Sequence, residues 1–135
     1  MLFLIALGVR VTAQTPEEFK QRYGNPRSGD YIIRDGIAAS VKFDDKKQVS
    51  EIIIEAVHNR SSNAMSPATA GDVLDEVMPI SRRGKLLKTS AFAASCVSVR
   101  AEEYENVTIS RTIRCESQGG GLYRLIIRRK LDSTR

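Results

Sequence analysis

Residues 91–115, AFAASCVSVRAEEYENVTISRTIRC, hold the chain's only two cysteines near the outer ends of two β-looking runs. If Cys96 faces Cys115 across an antiparallel hairpin, the pairing counts inward to a two-residue loop at Glu105 and Asn106. Such loops favour Asn-Gly or Asp-Gly, so Glu-Asn is weak turn chemistry. The apolar pattern conflicts with that register. Val97 and Val99 on one run, and Val107, Ile109 and Ile113 on the other, are all odd-numbered. One shared apolar face needs odd residues to pair with odd, whereas the cysteine register pairs odd with even. A one-residue slip turns a whole apolar set to the other face, and an inserted residue absorbs it. The expectation is a β-bulge between Glu102 and Asn106; failing that, the two cysteines are not cross-strand partners.

Upstream, Thr15-Pro16-Glu17-Glu18 reads as a helix start, with Thr15 as cap, Pro16 at the first helical position and Glu18 reaching back. Phe19 and Tyr23 lie four apart on one face, and Gly24 with Pro26 stops the helix. Tyr31–Arg34 is a short strand and Asp35-Gly36 a turn. Ile37–Phe43 and Val49–Val57 then form a hairpin around Asp44-Asp45-Lys46-Lys47. Ile52-Ile53-Ile54 places the second of these strands centrally in the sheet or under cover on both faces. After a polar connector, His58–Met65, Ser66-Pro67 starts a second helix with the apolar stripe Val73, Leu74, Val77 and Met78. Pro79 ends it, and Ile80–Gly84 is a turn or short helical tail.

Downstream of Cys115, Gln118–Gly121 is a flexible turn and Leu122–Leu131 a last strand. Its odd positions Tyr123, Leu125 and Ile127 face a core, while Arg124, Arg128 and Lys130 face solvent. The fold class expected is α+β, a curved antiparallel sheet of five or six strands with two helices packed on one face. Each half is a helix followed by a hairpin, a faint duplication. The stretch Phe19-Lys20-Gln21-Arg22-Tyr23-Gly24-Asn25-Pro26, a short helix closing on Tyr-Gly before a hairpin, resembles the opening of repeat units in the β-lactamase-inhibitor-protein-like group of exported bacterial domains. Separately, Arg83–Leu87 and Glu102–Arg111 resemble uncharacterised small exported bacterial proteins, a likeness that implies no function.

The chain has 135 residues, 41% apolar and 27% charged, which suits one globular domain. An apolar run from Leu2 to Val9 precedes Val11-Thr12-Ala13, small residues of the kind a signal peptidase prefers. Residues 1–13 are therefore read as an export signal, cut short at its start because no basic residue precedes the apolar run. Residues 14–135 are the single domain. The run is too short for a membrane span, which needs about 20 apolar residues. Export to a periplasmic or secreted location makes a Cys96–Cys115 disulfide the expected state.

No catalytic set emerges. His58 is the only histidine, so a metal site or a serine triad would each have to use it, and no Gly-x-Ser-x-Gly elbow is present. Glu102, Glu103 and Glu105 cluster on the expected turn, where carboxylates are ordinarily solvated. No cofactor motif appears, and neither cofactor nor metal is expected. The basic residues say more. Arg82, Arg83, Lys85 and Lys88 fall within seven residues, and the last strand adds Arg124, Arg128 and Lys130, against a formal net charge of +5. Segregated positive charge steers anionic partners. Nucleic acid is disfavoured by export and by an aromatic content of 6% without tryptophan. These seven residues are the expected binding set of a non-enzymatic exported module engaging an anionic polymer or a protein. The alternatives are a small-ligand carrier or enzyme whose apolar pocket uses Tyr31, Tyr104 or Tyr123, and a structural component of the cell envelope.

Overall fold

The structure, a computed structural model, describes residues 14–56, 65–115 and 121–130. Residues 1–13, read as an export signal, together with His58, Leu131 and the side chain of Tyr123, lie outside the described residues. Ten elements follow in order: α1 (Pro16–Tyr23), β1 (Asp30–Arg34), β2 (Ile37–Phe43), β3 (Val49–Ala56), α2 (Pro67–Val77), α3 (Ile80–Arg83), β4 (Leu86–Ala94), β5 (Val97–Tyr104), β6 (Val107–Arg114) and β7 (Leu122–Arg129). The strands make one antiparallel sheet in the order β1-β2-β3-β7-β6-β5-β4. Two meanders, one from each half of the chain, meet where β3 pairs with β7.

The helices begin where their caps stand. Thr15 Oγ1 accepts from the Glu18 backbone N–H at 3.3 Å and Ser66 Oγ from the Thr69 N–H at 3.1 Å, each with proline next in the chain. Phe19 of α1 is buried against Tyr31 and Phe43. Tyr23 donates its hydroxyl to Glu76 of α2 at 3.1 Å, and burial pushes that phenol well above the ordinary tyrosine range. Val73, Leu74 and Val77 of α2 and Met78 just after it enter the same core, with Ile52, Ile54, Ile109, Leu125 and Ile127.

The sheet has seven strands rather than five or six, and a third helical segment, α3, joins the two expected helices. The strand missing from the sequence reading is β4. LLKTSAFAA is exposed at every one of its nine positions, so it has no buried face whose alternation could announce it. Where β6 pairs with β7 the register shifts between Thr112 and Ile113 of β6, opposite Arg124 and Leu122 of β7, and Leu122 enters the core with Leu125 and Ile127.

The β5–β6 hairpin resolves the conflict in its sequence differently from the expectation. The cysteine register runs unbroken from Val97↔Arg114 to Glu103↔Thr108, with no bulge between Glu102 and Asn106. Cys96 and Cys115 are bonded, with Cα atoms 4.9 Å apart. The apolar sets simply occupy opposite faces. Val107 and Ile109 point into the helix-covered core, and Val97 and Val99 lie on the other face, where Val99 sits opposite Phe92.

A weak two-residue turn holds this register because the rest of the fold grips it. Neither Glu105 nor Asn106 takes the positive φ of the favoured hairpin turns. Instead Glu105 N–H donates to Lys85 O, Asn106 N–H to Arg83 O and Asn106 Nδ2 to Arg82 O. Glu105 Oε1 accepts from the Lys85 N–H at 2.6 Å, and Lys130 N–H donates to Asn106 O. The segment between α3 and β4 makes this approach at Gly84, whose φ is +77° and whose missing Cβ would lie 2.8 Å from Glu105 Cβ.

Two glycines therefore respond oppositely to the same substitution. Gly84→Ala lowers stability by more than about 1 kcal/mol through strain and collision with the turn. Gly71→Ala, inside α2 with open space around it, raises stability by about 0.5–1 kcal/mol. Urea denaturation of both variants checks the pair. Replacing both cysteines by serine costs roughly 3 kcal/mol in the chain-entropy picture, read in the same assay against the oxidised parent.

Candidate functional site

Helix α1 packs against β1 and α2 against β7, and Arg83 of α3 lies over Tyr104 at the end of β5, while the inner face of β4 and Arg100 of β5 remain exposed. Register decides what that open face carries. Arg100 stands directly opposite Arg111, with Ala91 on the far side of Arg100. Glu102 stands opposite Ile109 and next to Thr89. Like charges directly opposed across a sheet are destabilising, so this pairing calls for a counterweight.

Part of the counterweight is built in. Arg111 forms an ion pair with Glu102, and Tyr104 donates its hydroxyl to the other oxygen of the same carboxylate at 2.6 Å. The Arg83 guanidinium lies 5.7 Å from the centre of the Tyr104 ring, donates from Nε to Met78 O at 2.9 Å and pairs with Asp75 at 2.8 Å. Burial pushes the Arg111 guanidinium below the usual arginine value; the like charges of Arg83 and Arg100 add to this, and Asp75 opposes it. It stays cationic at neutral pH. Arg100 is exposed and forms no ion pair among the described residues. The site thus holds one satisfied arginine, Arg111, beside one arginine directed at solvent.

The seven basic residues singled out from the sequence separate into three groups. On the outer face, Arg128 pairs with Glu51, which also takes Lys42; Arg124 pairs with Glu55; Lys130 pairs with Glu103. The Glu51 and Glu103 carboxyls sit below the usual carboxylate range because Arg128 and Lys130 respectively hydrogen-bond to them. Arg83 is buried, 6% exposed, and ties α3 to the end of α2. That leaves Arg82, Lys85 and Lys88, all exposed and without an ion pair among the described residues, at the start of β4.

The three glutamates near the turn are not simply solvated: Glu102 holds Arg111 and Tyr104, Glu103 holds Lys130, and Glu105 grips Lys85. Tyr31 and Tyr104, the expected polar contacts of an apolar pocket, are buried in the core. Among the described residues no three His, Cys, Asp or Glu side chains converge as a metal site would require, and no helix is long and apolar enough to cross a membrane.

Arg100 and Arg111 were not singled out from the sequence. The signal for them was the cysteine register itself, since a hairpin that pairs Cys96 with Cys115 also pairs Arg100 with Arg111. Adopting a bulge concealed it.

No family model matches the chain, and no curated protein matches it. Among solved structures, the crystal structure of a DUF4309 family protein (YjgB) from Bacillus subtilis subsp. subtilis str. 168 is similar over 86% of this chain and 78% of that one. The identity is 11% and the TM-score 0.49, a likeness too loose to assign a family or transfer a role.

If the Arg100–Arg111 opposition is kept for binding rather than for folding, relieving it raises stability. Arg100→Thr, with a good strand former next to Ala91, gains about 0.2–1 kcal/mol in urea denaturation.

Proposed function

We propose that this protein is a non-enzymatic exported binding module that takes an anionic partner on the open half of its sheet. The observation that carries the reading is the exposed Arg100, which meets Arg111 directly on the inner face while Arg111 alone is neutralised by Glu102. A protein that tolerates such an opposition beside an exposed guanidinium is set up to receive a carboxylate, sulfate or phosphate there. Arg82, Lys85 and Lys88 extend the positive surface along the same edge, and steer anions toward it. Arg124, Arg128 and Lys130 contribute less, because their charge is met by Glu55, Glu51 and Glu103 on the other face. The Cys96–Cys115 bond and the apolar leader support an exported location.

Retention on an immobilised acidic polymer tests the assignment. It falls as salt rises from low to physiological concentration, where screening sets in over about 8 Å. Arg100→Ser weakens retention, and Arg128→Ser leaves it nearly unchanged. Retention that ignores salt, or that follows Arg128 rather than Arg100, overturns the reading.

A further inference from the structure

β4 ends the strand order, pairs only with β5 and is exposed along all nine residues. In an antiparallel edge strand, half of the backbone amides and carbonyls point away from the neighbour. Proteins usually guard such edges with short strands, charges, proline or bulges. The opposite edge is guarded in that way: β1 has five residues, an irregular register between Ile32 and Arg34, and α1 packed against it. β4 carries a single charge, Lys88, no proline and no glycine, and its register shift lies at its very start, between Leu86 and Lys88. Phe92 on its outer face is 69% exposed.

We propose that this edge takes up an extended, acidic segment of a protein partner as an eighth strand, a proposal that rests on the anion-binding reading of Arg100. Main-chain pairing along β4 supplies affinity, and charge supplies selectivity. Ala91 is the only side chain on the inner face between Arg100 and the open edge. Strands lie about 4.8 Å apart, so a carboxylate opposite Ala91 on the added strand is two strand spacings from the Arg100 backbone. The long arginine side chain spans that gap over a methyl group. An apolar residue on the other face of the added strand covers Phe92. Arg82, Lys85 and Lys88 at the start of β4 favour the same acidic segment by charge complementarity. A polysaccharide carries no peptide ladder to meet the edge.

The probe is a synthetic peptide of β4's length alternating glutamate and valine, with two N-methylated forms that each block one edge of its backbone. The full disulfide-bonded chain binds the unmethylated peptide, and alternate amides along Leu86–Ala94 become protected from hydrogen exchange. One methylated form loses binding and the other keeps it. Arg100→Ala weakens binding roughly tenfold, as removal of a charged hydrogen bond does. Equal binding of both methylated forms, or unchanged β4 exchange, overturns strand addition; if the Arg100 dependence persists in that case, the anion site stands. Binding indifferent to Arg100→Ala overturns the anion site itself. A dimer in sedimentation whose β4 amides are already protected without peptide gives the edge to a second copy, and overturns the acidic partner.

Discussion

The turn at Glu105–Asn106 is the constraint on which the rest depends. By itself it is a poor hairpin loop, with neither the sequence nor the positive φ that two-residue turns prefer. Five hydrogen bonds, four from the α3–β4 segment and one from Lys130, hold it from outside. The same contacts fix where β4 starts, where β7 ends and how α3 sits on the sheet. Gly84 is the price of that close approach. With the turn fixed at one end and Cys96–Cys115 closing the other, β5 and β6 have one register, and every cross-strand pair between them is decided.

Register sorts the charges. On the outer face the β2–β3 and β3–β7 registers let cations from β2 and β7 find glutamates of β3, so that strongly basic sequence becomes a nearly neutral ladder around Ile53 and Ile126. On the inner face the β5–β6 register does the opposite and brings Arg100 against Arg111. The helices pack over β1 and β7, and of the two arginines Arg111 is half-buried while Arg100 is exposed. Surface ion pairs of the outer kind contribute little stability individually, which fits a role in cancelling charge rather than in holding the sheet. The core below, from Phe19 to Ile127, supplies the stability.

The two edges of the sheet show the same division. β1 is short, irregular and attended by α1, and it closes its side. β4 is long, regular and bare. A fold that guards one edge and leaves the other open gathers its hydrophobic core at one end of the sheet and, at the other, cations without an ion pair among the described residues.

Much of the fold was legible along the chain. Both helix starts follow from a capping hydroxyl followed by proline, β2 from its alternation, and the core stripe of α2 from its spacing, because each depends on residues near one another in sequence. β4 was not legible, since a strand exposed on both faces carries no period for burial to impress on it. Nor was the register of β5 and β6 settled: Val97, Val99, Val107 and Ile109 look like one apolar set, and only packing under the helices sends two of them inward and two outward. Basic residues read as one surface became three things, a buried strut at Arg83, neutralised pairs on β7 and, near β4, charges with no ion pair among the described residues. The sequence by itself determined the two capped helices, the strands that alternate a buried and an open face, and which cysteines can join. Tertiary structure alone decided which charges survive as a surface, because whether a cation is met by a carboxylate depends on strand neighbours far apart along the chain.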